Sequence, residues 1–195
     1  MMPAQGERPV PDIAPKDEVV FKNVVESLFV RALGSKLSLR CVERIRDGGI
    51  DLRFKLTGFY LRETFYRCVR IAGEELFPGV DQDQQMVMLG TVFMEGFEQT
   101  LIGRAALTAA RFMGTRRTLE RMANNFRTSN NYMQVDFQEV RAGEVLLTLS
   151  QTSGVPGYFE GALRRGLLFA GARDLVVRRE AYDGSRCTMR ITWKP

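Results

Sequence analysis

The sequence predicts an α+β fold: an N-terminal cluster of five or six helices, then a four-stranded antiparallel sheet laid out as hairpin, helix, hairpin. Three observations carry that expectation. Apolar residues recur at helical spacing from Val24 to about Phe126, and the period changes to two after Asn131. An Asp183-Gly184 pair then separates two alternating runs near the C-terminus, which is a strong hairpin signal. Two hairpins bridged by one helix supply four strands, and their apolar face needs helices to cover it.

Each element follows in order. Residues 1–17 read as a disordered tail, because Pro3, Pro9, Pro11 and Pro15 fall among polar residues with too little apolar surface to offset ordering. Residues 18–195 read as one domain, long enough to bury roughly 70% of the surface its unfolded chain exposes. Val19–Phe21 suggests a short strand, leading into a helix through Val24, Val25, Leu28, Phe29 and Leu33, with Gly34 as its cap. Leu37 to Arg46 gives a second helix, and Gly58 and Tyr60 read as a connection. Leu61 to Phe77 is a third helix, stopped by Pro78-Gly79. The segment from Asp81 to Met113 is helical in pattern but interrupted by Gly90, Gly96 and Gly103, so it is either one kinked helix or two. Those glycines cost up to about 1 kcal/mol each against alanine, and close crossings, a kink or room for a ligand would each account for them. Thr115 can cap the next helix, to about Phe126. Tyr132 to Val140 and Val145 to Leu149 then form the first hairpin. A helix through Phe159, Leu163 and Leu167 precedes the strands Leu175 to Tyr182 and Cys187 to Trp193.

Composition excludes several functions. The chain has no histidine, which removes imidazole base catalysis, Ser-His-Asp systems, His-ligated haem and most catalytic zinc sites. The three cysteines (Cys41, Cys68, Cys187) lack CxxC spacing and read as reduced, buried thiols of a cytosolic protein. No apolar run reaches the ~18 residues of a membrane helix, and the N-terminus lacks the apolar core of a secretory signal. The net charge is +5, carried largely by arginine pairs such as Arg116-Arg117 and Arg178-Arg179. Charges alternate along the chain, which argues against a nucleic-acid stripe.

A resemblance is carried by an ordered run of motifs. Phe77-Pro78-Gly79, Gly90, Phe93 and Glu98 through Arg104 come first. Gly114 through Leu119, Asn124 through Tyr132, Pro156 through Gly161 and Ile191-Thr192-Trp193 follow. Together they resemble a myxobacterial paralogous family designated domain of unknown function 2378, over nearly all of the chain beyond the tail. The family pattern has proline where this chain has Thr115. A weaker, topological likeness is to haem–nitric oxide sensor domains, 4-vinyl-reductase-type ligand domains and vesicle-tethering subunits. It implies a ligand between helices and sheet. The haem version needs an axial histidine and a Tyr-x-Ser-x-Arg signature, and neither is present.

Seven residues are candidates for ligand binding: Thr100, Arg104, Arg116, Arg127, Asn131, Tyr132 and Tyr158. Arg116 and Arg127 belong to a polar cluster with Arg117, Arg121, Asn124, Asn125, Asn130, Asn131 and Tyr132. Its arginines begin at a helix N-terminus, where an anion is favoured. The same residues also serve as caps and solvated charges. Arg104 stands one turn from Thr100 in an apolar helix, either facing solvent or buried against Glu95 or Glu98. Tyr158 opens the inter-hairpin helix, where ligand-binding folds of this topology place their pocket and where simple packing would also put it. No catalytic residue, metal site or cofactor is expected. The leading expectation is a non-enzymatic cytosolic regulatory or sensory module that binds a small or anionic ligand between helices and sheet. The alternative is a protein-interaction module, homodimeric in one form, acting through an exposed apolar or arginine-rich face.

Overall fold

The computed structural model describes residues 17–125 and 128–195. Strand β1 (Val19–Phe21) leads into helix α1 (Lys22–Val25), which continues as a π-helical segment (Glu26–Ala32) and a short 3-10 turn (Gly34–Lys36). Helix α2 (Leu39–Asp47) is capped by Ser38, whose hydroxyl accepts from the Cys41 N–H. Strand β2 (Phe59–Leu61), read as a connection from sequence, pairs antiparallel with β1. Helices α3 (Arg62–Leu76), α4 (Gln82–Glu98), α5 (Leu101–Met113) and α6 (Thr115–Asn125) complete the helical half. The glycine-interrupted segment is therefore two helices. The break falls at Gln99-Thr100, where Thr100 Oγ1 accepts from the Gly103 N–H at 2.9 Å and caps α5.

The second half is the expected hairpin, helix, hairpin. Strands β3 (Val135–Arg141) and β4 (Glu144–Leu149), helix α7 (Pro156–Phe169), and strands β5 (Arg173–Tyr182) and β6 (Cys187–Lys194) follow one another. The sheet is antiparallel in the order β3-β4-β6-β5. Tyr132 lies before β3 rather than in it, because Asn130 Oδ1 takes the N–H groups of Tyr132 and Met133 and turns the chain there. In the second hairpin Asp183 Oδ1 accepts from the N–H groups of Ser185 and Arg186, which fixes the turn. Val145, Leu147 and Leu149 of β4 and Cys187, Met189 and Ile191 of β6 alternate inward and are fully buried.

Helix α4 binds the halves together through glycine. A methyl on Gly90 would lie 1.9 Å from Tyr158 O, and one on Gly161 would lie 2.0 Å from Val87 O. On its other side, a methyl on Gly96 would lie 1.9 Å from Ser27 O in the π-helical segment. The backbones of α4, α7 and the π-helical segment are in direct contact, so packing accounts for Gly90 and Gly96. Among the described residues no helix is long and apolar enough to cross a membrane.

Backbone atoms cannot rotate away from an added methyl, so Gly161→Ala should cost about 3 kcal/mol or more in urea unfolding. Gly58→Ala, whose added methyl meets nothing within 4 Å, should change stability by less than about 0.5 kcal/mol.

Candidate functional site

Helix α3 carries two stripes. Phe65, Cys68, Val69 and Ala72 pack into the core, while Arg62, Tyr66 and Arg70 follow at four-residue spacing along another edge. With Glu63 and Arg67, that second stripe faces Ser153 across a cleft of about 380 Å3. Small-molecule sites begin near ~300 Å3. The cleft lies between the helical half and the turn that leaves β4 for α7.

The opposite wall is a tight turn. The Val155 N–H donates to Thr152 O at 2.9 Å, and Ser153 and Gly154 both have positive φ, 55° and 71°, as a type I′ turn requires. Serine rarely occupies that region, and holding it there costs on the order of 1 kcal/mol. Arg70 Nη2 donates to Ser153 O at 2.7 Å and pins the turn to α3. The Ser153 hydroxyl is buried beside the Tyr132 side chain, without a well-aligned hydrogen bond among the described residues.

Charge in the cleft is uneven. Arg62 pairs with Glu18 at 2.5 Å, donates to Gln151 Oε1 and lies 5.5 Å from the centroid of the Tyr132 ring, a cation–π distance. Among the described residues no carboxylate pairs with Arg67 or Arg70. Arg67 is exposed at the rim. The cleft thus offers guanidinium donors to a carboxylate or phosphate, which arginine meets in bidentate fashion.

Beneath it lies a tyrosine cluster. The Tyr132 hydroxyl donates to the Tyr66 hydroxyl at 3.3 Å, and the Tyr158 ring stands edge-on to Tyr66 at 6.1 Å. Phe65 and Phe93 flank Tyr158 at 6.4 and 5.8 Å. The Tyr158 hydroxyl is buried without a partner among the described residues, an unmet donor of the kind that marks a water or ligand atom. Burial pushes the Tyr66 and Tyr158 hydroxyls well above the ordinary tyrosine range, and raises Tyr132 by a smaller amount.

The structure brings Tyr132 and Tyr158 together through Tyr66 and places the other candidates elsewhere. Thr100 is the cap of α5. Arg104 faces solvent on α5, and Glu95 pairs with Arg165 instead. Asn131 clamps β1, accepting from the Val19 N–H and donating to Asp17 O, each at 2.8 Å. Arg116 lines a second, open cleft of about 430 Å3 with Gly114, Trp193 and Pro195. Its guanidinium is engaged by Glu139 at 2.7 Å and Glu120 at 3.3 Å, which holds the Glu139 carboxyl below the ordinary carboxylate range. Arg127, and the side chains of Asn124 and Asn125, lie outside the described part of the chain. Sequence reasoning missed Arg62, Tyr66, Arg67, Arg70 and Ser153. The Arg62, Tyr66, Arg70 spacing was a usable signal.

The fold is similar to that of H-NOX proteins. One from S. oneidensis in its Fe(II)NO ligation state has a TM-score of 0.66 at 10% identity, covering 89% of this chain and 97% of that one. The unliganded Fe(II) protein from K. algicida gives 0.63 at 11% identity, covering 89% and 95%. A structure concerned with haem distortion in the H-NOX family gives 0.63 at 15% identity, covering 88% and 94%. The residues of this chain do not fit a ligated haem. It has no histidine. Burial raises all three thiols, Cys68 to about 12 and Cys187 to about 11, with Cys41 also above its ordinary value, so none offers a thiolate at neutral pH. Backbone contact at Gly90 and Gly161, with Tyr158 between Phe65 and Phe93, fills the α4–α7 seam.

The tyrosine cluster sets an alkaline limit. Tyr66, Tyr132 and Tyr158 are held protonated in the folded chain but ionise near pH ~10 when unfolded. Their contribution should therefore be complete below about pH 10 and lost as pH rises beyond it. Absorbance titration should show Tyr66 and Tyr158 ionising only together with unfolding, and Tyr66→Phe should lessen the alkaline loss.

No curated protein matches the chain in sequence. The pattern of the family described as Protein of unknown function (DUF2378) matches residues 18–194. That span includes both halves of the fold and both walls of the cleft. The chain belongs to the DUF2378 family.

Proposed function

We propose that the protein is a non-enzymatic regulatory or sensory module that binds a small anionic ligand in the cleft between α3 and the Thr152–Val155 turn. One observation carries this reading: Arg62, Arg67 and Arg70 outnumber the one carboxylate, Glu63, that lines the cleft, and among the described residues neither Arg67 nor Arg70 is held in an ion pair. The fold likeness to sensor domains supports it as analogy alone. A ligand here would touch both the helical half and the turn that launches α7, so binding would couple the two halves. We place the module in the cytosol, on three cysteines all buried as free thiols, and take residues 18–195 as its single domain.

Native mass spectrometry of freshly purified protein, compared with its denatured mass, should reveal a bound anion that Arg67→Ala/Arg70→Ala loses. Phosphate, pyrophosphate and citrate should each be tested by thermal shift at low salt, and at least one should stabilise the wild type. Ser153→Gly should relieve the turn and leave the unliganded protein as stable or more so, while weakening binding by roughly tenfold. A bare native mass with no stabilisation by any of the three anions at millimolar concentration would overturn the proposal.

A further inference from the structure

The floor beneath the α3 cleft holds more hydrogen-bond donors than acceptors. Ser153 lies beside Tyr132, and Tyr132 donates to Tyr66 at 3.3 Å. Tyr66, which lines the cleft with Ser153, then has no acceptor for its own proton among the described residues. The Tyr158 hydroxyl, on a residue only 3% exposed, has no partner among them either. Its ring stands edge-on to Tyr66 at 6.1 Å. Unmet buried donors are rare, and a neighbouring pair of them marks a place for an acceptor atom. The Arg62 guanidinium, 5.5 Å from the centroid of the Tyr132 ring, favours the negative end of a dipole at the same floor.

We propose that the ligand of this cleft is an oxo acid, whose carboxylate meets Arg67 and Arg70 and whose carbonyl oxygen takes the hydroxyl protons of Tyr66 and Tyr158. This assignment rests on the cleft being the anion site. The choice of atom follows from the donor surplus. A carbonyl oxygen has two lone pairs and brings no proton of its own, whereas a ligand hydroxyl or ammonium would add donors to a cluster already short of acceptors. A second carboxylate would carry full charge beside Phe65 and Phe93, which flank Tyr158 at 6.4 and 5.8 Å. Desolvating that charge costs far more than desolvating a neutral carbonyl. Entry follows from the same geometry. Arg70 Nη2 holds the turn over the floor through Ser153 O at 2.7 Å, and Ser153 is kept at a φ of 55°. A carboxylate that engages Arg70 competes for that donor, eases the turn and opens the floor to the carbonyl behind it.

Calorimetric titration of the full chain at low salt should compare levulinate with pentanoate and pyruvate with propionate, pairs that differ only in the carbonyl. At least one oxo acid should bind about tenfold more tightly than its deoxygenated counterpart. Tyr158→Phe removes the hydroxyl and keeps the ring. It should erase that preference while leaving binding of the deoxygenated acid and the melting temperature of the free protein unchanged. Arg67→Ala/Arg70→Ala should lose both members of the pair. Equal binding within each pair, or binding of phosphate with no oxo acid bound, would overturn the oxo-acid assignment and leave the anion cleft standing. Binding of neither phosphate nor any of these acids would remove both. A Tyr158→Phe variant that melts earlier and still prefers the oxo acid would place a structural water on Tyr158, and would also overturn the assignment.

Discussion

The backbone contact of α4 with its neighbours on two sides is the constraint from which the rest follows. Gly90 and Gly161 bring α4 against α7, and Gly96 brings it against the π-helical segment. Helices with side chains at those positions would stand about 8–10 Å apart. Here the missing side chains allow main-chain atoms to touch. The π-helical geometry belongs to the same contact, since Ser27 O lies where the Gly96 side chain would be. Without this seam the halves would be joined by smaller contacts, among them the aromatic cluster, the Arg116–Glu139 pair between α6 and β3, and the Asn131 hydrogen bonds to the start of β1.

Close approach of α4 and α7 also explains where polar chemistry ends up. The interior between the halves is taken by Phe65, Tyr66, Phe93, Tyr158 and Phe159, whose rings meet mostly edge-on or tilted. Such contacts stabilise by about 1 kcal/mol each beyond burial. A packed aromatic interior leaves the rim of α3 as the place where charged side chains and a strained turn converge. The fold is thus shared with H-NOX proteins, while the residues that line its centre suit another chemistry. Fold and site separate here as they do in other widely used architectures.

Much of the architecture was legible because its signals are local. The Asp183-Gly184 turn, the change of period after Asn131 and the apolar stripe of α3 each depend on a few neighbouring residues. Strand β2 was missed because three residues carry no period of their own, and its partner β1 lies far back along the chain. Thr100 as a cap was readable from Thr-x-x-Gly spacing before an apolar run, yet the glycines around it drew the reading toward a kink. The cleft was the least legible part. The apolar residues of α3 obscured the interleaved Arg62, Tyr66 and Arg70, and nothing in the identity of Ser153 announces a left-handed conformation. Whether Arg104 would face solvent or a partner could not follow from helix spacing, because it sits on the boundary between the two faces of α5.

Amide hydrogen exchange along the whole chain tests the seam directly. If backbone contact at Gly90, Gly96 and Gly161 holds the two halves together, the amides of α4 and of the first two turns of α7 should be the slowest to exchange. They should open only with global unfolding, with the same free energy as measured in urea. Exchange of α7 through local opening, at free energies well below that of global unfolding while α3 and the central strands stay protected, would contradict it.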